Sequence, residues 1–287
     1  MRKNPSAFQN LKIATLVVFI VSTFVGVMLV AKDAQAIRLT MKRIEFEGTK
    51  RTEVLTIINN EAQPRTYRMG WKRMKMTEDK ALVNIDDDEV VPGLEGVENM
   101  VRFAPRRVTI PPGGSQQVRL MLRKPRDLPE GEYRSHFWVQ PEADATRFEA
   151  EAPSSPTASA VSLRMLAGIT LPVIVRNGNL TATGAFESGS AQIKGDKIEI
   201  NLLLTRSGNR SLYGDIDMVC SGGGQQQIQS VRGVAVYAEV ERRNLRFNMP
   251  APADINICRE VTITYRRPPS LRGELGEIIA ETSLNLS

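Results

Sequence analysis

From Ile37 onward, apolar and polar residues trade places in short runs, each closed by a turn former. In Glu53-Val54-Leu55-Thr56-Ile57-Ile58 a strand-like run ends in Asn59-Asn60, a turn signal. Gln117-Val118-Arg119-Leu120-Met121-Leu122-Arg123 alternates apolar with polar, as a half-buried strand does. Arg134-Ser135-His136-Phe137-Trp138-Val139 predicts a further strand, rich in aromatics. Pro111-Pro112-Gly113-Gly114 and Leu128-Pro129-Glu130-Gly131 supply turns between them. No part of this region keeps a 3.6-residue period between caps. Many short strands at roughly ten-residue spacing predict an all-β protein built from sandwiches.

Two segments interrupt the rhythm. Pro141 to Ala160 is rich in Ala, Glu, Pro and Ser and poor in large apolar residues, which predicts a long mobile loop. Val161 to Arg176 follows as the longest extended run in the chain. Alternation puts Val161, Leu163, Met165, Ala167, Ile169, Leu171, Val173 and Val175 on one face. Asn177-Gly178-Asn179 then reads as a joint, and strand patterning resumes at Leu180-Thr181-Ala182-Thr183. The predicted division is therefore a first sandwich over 37–176 and a second over 177–287. Strands are expected in the second at Lys197–Thr205, Leu212–Cys220, Val231–Glu239, Asn244–Phe247, Ile255–Tyr265 and Glu277–Leu286.

Composition adds an address. Arg2, Lys3 and Lys12 precede a charge-free run from Ile13 to Ala31, and Ala34-Gln35-Ala36 forms a small-x-small cleavage site. Residues 1–36 thus read as a secretory signal peptide; the alternative is an uncleaved inner-membrane anchor, because a run this long can span a bilayer. Cleavage after Ala36 leaves 251 residues, enough for two domains with separate cores. An exported chain meets an oxidising compartment, so Cys220 and Cys258 predict a disulfide rather than a metal site. In an immunoglobulin-like strand order Cys220 ends the third strand of the second sandwich and Cys258 lies near the start of the sixth. Those two strands are antiparallel neighbours, so a bridge is sterically reasonable.

The formal charge of +6 is modest, and the basic pairs (Arg106-Arg107, Arg242-Arg243, Arg266-Arg267) are dispersed. This gives no nucleic-acid surface. The chain carries one histidine, His136, beside Ser135. Adjacent strand residues point to opposite faces, so the two cannot form a nucleophile–base pair. Asp86-Asp87-Asp88-Glu89 lacks the spacing and glycine of a calcium loop, and no nucleophile elbow or phosphate-cradling loop occurs. Trp71 and Trp138 are expected to anchor the first core. The expectation is a non-enzymatic protein without cofactor, metal or small-molecule substrate.

Four blocks in order resemble the PapD-like periplasmic chaperones of the chaperone–usher pilus pathway. Arg43-Ile44-Glu45-Phe46 is similar to their first-strand motif. Val101-Arg102-Phe103-Ala104-Pro105, with Ile110-Pro111-Pro112-Gly113 and Gln117-Val118-Arg119, is similar to their central signature. Leu128 to Phe137 resembles the entry to their sixth strand in its archaic form, and Ile169 to Arg176 the end of their last strand in domain one. The resemblance implies two immunoglobulin-like sandwiches set at an angle in the periplasm. It implies pilus subunits bound by donor-strand complementation, with Val161, Leu163 and Met165 filling the subunit's groove, and delivery to an outer-membrane usher. Arg43 would grip the subunit's terminal carboxylate. The better-known branch pairs that arginine with a lysine, whose place here falls on Thr170; either the grip differs or the register is shifted by a residue or two. The other function class left open is a secreted structural or adhesive protein on the same fold.

Overall fold

The computed structural model describes residues 37–286 apart from 80, 87–88, 95, 144–165, 223–224, 253–257 and 270–273. The signal-peptide reading, most of the predicted mobile loop, and Val161, Leu163 and Met165 fall outside the described residues.

The first half holds β1 (Ile37–Leu39), β2 (Ile44–Phe46), β3 (Thr52–Asn59), β4 (Arg65–Lys72), a small ribbon of β5 (Met74–Lys75) and β6 (Val83–Asn84), and the four-residue α1 (Val97–Met100). Then come β7 (Val101–Ala104), β8 (Arg107–Ile110), β9 (Ser115–Leu122), β10 (Gly131–Pro141) and β11 (Ile169–Asn177). They form two sheets, ordered β1-β3-β9-β7 and β2-β11-β10-β4-β8. Alternation decides what lies between them. Leu55 and Ile57 from β3, Val118 and Leu120 from β9, Tyr67 from β4, Phe137 and Val139 from β10, and Leu171, Val173 and Val175 from β11 share one buried core. Trp71, Phe103 and Phe137 meet edge to face inside it. Asn59, the turn signal that closes β3, is itself fully buried: its amide nitrogen donates to the Ile110 carbonyl, and its carbonyl accepts from Tyr67 and the Glu61 N–H. Trp138 departs from the expectation. Phe137 and Val139 take the inward positions of β10, so Trp138 faces outward and lies over Gly70, with its indole N–H on the Trp71 carbonyl at 3.2 Å.

The second half runs β12 (Ala182–Lys194), β13 (Lys197–Gly208), β14 (Leu212–Gly222), β15 (Gln225–Val236), β16 (Arg242–Pro250), β17 (Glu260–Arg266) and β18 (Ile278–Asn285). Its sheets are β12-β13-β16 and β15-β14-β17-β18, enclosing a separate core that includes Ile198, Ile200, Leu204, Ile216, Met218, Val261, Ile263 and Tyr265. The molecule is thus an all-β protein of two sandwiches. Cys220 pairs in register with Val261 of β17, which brings Cys258 alongside; the Cys220–Cys258 disulfide is formed, with Cα atoms 5.3 Å apart.

β11 begins later than the sequence pattern predicts. Its ladder with β10 starts at Ile169↔Val139, and Leu166, Ala167 and Gly168 are outside any strand. Gly168 packs against β10 so tightly that a Cβ there would come 3.0 Å from the Val139 carbonyl oxygen.

Candidate functional site at a strand edge beside the seam

β10 is buried on both faces from Arg134 to Phe137, although alternation allows only one to meet its own core. The second sandwich covers the other. Arg134 donates from Nη2 and Nη1 to the two carboxylate oxygens of Glu239 at 2.6 and 3.2 Å, and its guanidinium lies 3.5 Å over the Tyr237 ring. Glu239 also accepts the Met76 N–H at 2.8 Å. Ile174 and Met76 join Ala235 and Tyr237 in a small apolar cluster across the same seam.

A second ion network lies further along. Arg176 donates to Glu132 at 2.9 Å, Glu45 at 2.8 Å and Glu47 at 3.1 Å; Arg210 of the second sandwich also binds Glu47, at 2.6 Å. The Ser211 hydroxyl and N–H close on Glu132 at 3.0 and 3.2 Å. Burial works against the charge on Glu45, yet Arg43 and Arg176 outweigh it and hold that carboxyl below its ordinary range. Burial likewise opposes the Arg176 charge, and Glu132 with Glu45 more than restores it.

Arg43 sits at the margin of this network. Its side chain is 10% exposed, it pairs with Glu45, and its guanidinium stacks 3.8 Å over the Tyr213 ring of the second sandwich. Its Nε has no hydrogen-bond partner among the described residues. β2 pairs with β11 in parallel only from Ile44↔Val173 to Phe46↔Val175. Among the described residues, Ile169 to Pro172 therefore carry no partner on the edge away from β10. Arg43, the residue before Ile44, stands where that open edge begins. Thr170 lies on the open stretch, exposed, and lines a groove with Lys72, Trp138, Val139, Gln140, Gly168 and Ile169. Lys72 is the groove's one cation and makes no ion pair among the described residues.

The structure brings Arg43 and Thr170 to one margin of one sheet but does not set them in direct contact. Glu132, Arg134, Arg176, Ser211 and Glu239 are the seam residues that sequence reading passed over. The available signal was the polar content of β10: charges at Glu132 and Arg134 within an aromatic-rich strand imply a second buried face. Ser135 and His136 are both buried, back to back, as alternation requires. The described residues contain no cluster of three metal-ligating side chains and no helix long and apolar enough to cross a membrane.

No protein-family model and no curated protein matches the chain. Among solved structures it is similar to the periplasmic chaperone SfaE, at 10% identity over 88% of this chain and 100% of that one, with a TM-score of 0.43. It is similar to the class 5 fimbriae chaperone CfaA at 13% identity, over 84% and 97% of the two chains, TM-score 0.40. A third likeness is to a chain of the CsuC–CsuE chaperone–tip adhesion subunit pre-assembly complex from archaic chaperone-usher Csu pili of Acinetobacter baumannii, at 10% identity over 74% and 90%, TM-score 0.38. At these values the functional reading rests on the residues and geometry of the chain itself.

Proposed function

We propose that the protein is a periplasmic chaperone, without enzymatic activity, for pilus or fimbrial subunits, which it stabilises by strand donation and passes to an outer-membrane usher. One observation carries this reading: the edge of β11 is open from Ile169 to Pro172, and an arginine stands at the point where the opening begins. A client strand laid along that edge would take up the unmet backbone groups, since an open edge is a template for another chain. Its terminal carboxylate would reach Arg43, whose Nε is unused, with Thr170 offering a hydroxyl and Lys72 a second cation in the adjoining groove. Upstream of β11, Val161, Leu163 and Met165 would supply the side chains that fill the client's core, each contributing ~1.5–3 kcal/mol when buried. The first sandwich, 37–176, would hold the client, and the second, 177–287, would close the seam behind Arg43.

The test is capture. Leu163→Glu should abolish co-purification of the subunit from a periplasmic extract while leaving the thermal unfolding of the free protein unchanged. A full complement of subunit on Leu163→Glu would exclude this strand as the donor and favour a structural or adhesive protein on the same fold.

A further inference from the structure

His136 is fully buried, yet neither ring nitrogen has a hydrogen-bond partner among the described residues. A buried imidazole without partners is unusual, because buried polar atoms are nearly always satisfied. Its position is equally specific. In the ladders His136 lies between Lys72 on β4 and Pro172 on β11, on the face that meets the second sandwich. Its ring stands edge-on to Tyr237, with centroids 6.4 Å apart.

The charged groups around it are set against protonation. Arg134 is two residues away on the same strand, and Lys72 is its cross-strand neighbour. From the second sandwich come Tyr237, Glu239, and Arg243, whose guanidinium donates to the Ala235 carbonyl. Glu239 is the single carboxylate of this group, and both its oxygens are committed to Arg134, one of them also to the Met76 N–H. An imidazolium at His136 would therefore be a fourth cation at this contact, with no acceptor left for it.

We propose that His136 is an acid-sensitive latch between the two sandwiches: they close over the neutral ring, and its protonation drives them apart. Burial first and the Arg134 charge second push the histidine down to about 3 from 6.5. In the open state, with the ring in water, it would titrate at about 6.5. The open form therefore binds the proton more readily, and the closed form loses ground progressively as pH falls below 6.5. This inference is independent of the chaperone reading, since it concerns only how the two halves hold together.

Small-angle X-ray scattering and far-ultraviolet circular dichroism on the full exported protein, from neutral pH down to about 4, test it. The wild-type radius of gyration should rise over that range while the β-sheet signal persists. His136→Leu, which keeps the volume and removes the titration, should stay compact over the same interval. Identical curves for the two proteins would assign any opening to the seam carboxylates and overturn the latch. So would a wild-type chain that remains compact throughout, or one that loses its sheet signal as it expands.

Discussion

Glu132 and Glu142 both pair with arginine, and burial separates what the two pairs are worth. The Arg107–Glu142 pair is close, at 2.7 Å, but Arg107 is largely exposed, so water and salt screen the attraction. Glu132 and Arg176 are almost wholly buried, and Glu132 also serves Ser211. Glu132→Ala strands part of a buried guanidinium and two donors of Ser211, so urea unfolding should show a loss of ~3–5 kcal/mol. Arg107→Ala should leave the same curve almost where it is. Arg43 combines both kinds of role. Arg43→Ala should weaken subunit binding at least tenfold, corresponding to the ~2–5 kcal/mol lost when a charged, desolvated hydrogen bond is truncated. Titration calorimetry with a peptide of the subunit's C-terminal strand would measure it, and undiminished affinity would place the grip elsewhere in the groove. Arg43 was singled out by the resemblance of its first-strand motif. Its stacking on Tyr213 was not, because Tyr213 is 170 residues further on and nothing in local pattern joins them.

At the scale of strands, alternation was the reliable guide. It placed β3, β9, β13 and β14 to within a few residues, because each has one face in a core and one in water. It failed where that premise fails. β10 is covered on both faces, so Trp138, an aromatic, was assigned to the wrong one. β11 was expected to start at Val161, but its ladder to β10 begins at Ile169, beyond the tight passage at Gly168. Strand order also made the disulfide readable: the third and sixth strands of the second sandwich are neighbours, and the cysteines lie at adjoining ends. Closing this loop should contribute ~4 kcal/mol by the chain-entropy account. Replacing both cysteines by serine should lower the unfolding free energy of the second sandwich by that amount, read from urea denaturation. Thiol titration of the unreduced, unfolded wild type should find no free thiol.

For the whole molecule, the sequence showed two cores and gave little warning of what joins them. The seam is built from Glu45, Glu47, Glu132, Arg134, Arg176, Arg210 and Glu239, residues that single-sequence reading assigns to solvent because charges are seldom buried unpaired. Their pairing is three-dimensional and leaves no local mark. One further property follows from the strand order of the first sandwich. β2 is parallel to β11, and Ile44 meets Val173, 129 residues later in the chain. The strands of the second sandwich mostly pair with near neighbours, such as β12 with β13 and β14 with β15. A chain synthesised amino end first must therefore hold its opening segment in waiting until the strand at residues 169–177 has arrived. Closing so long a loop is entropically slow. The half that is synthesised first is the one whose opening strand can pair only after its last strand has been made.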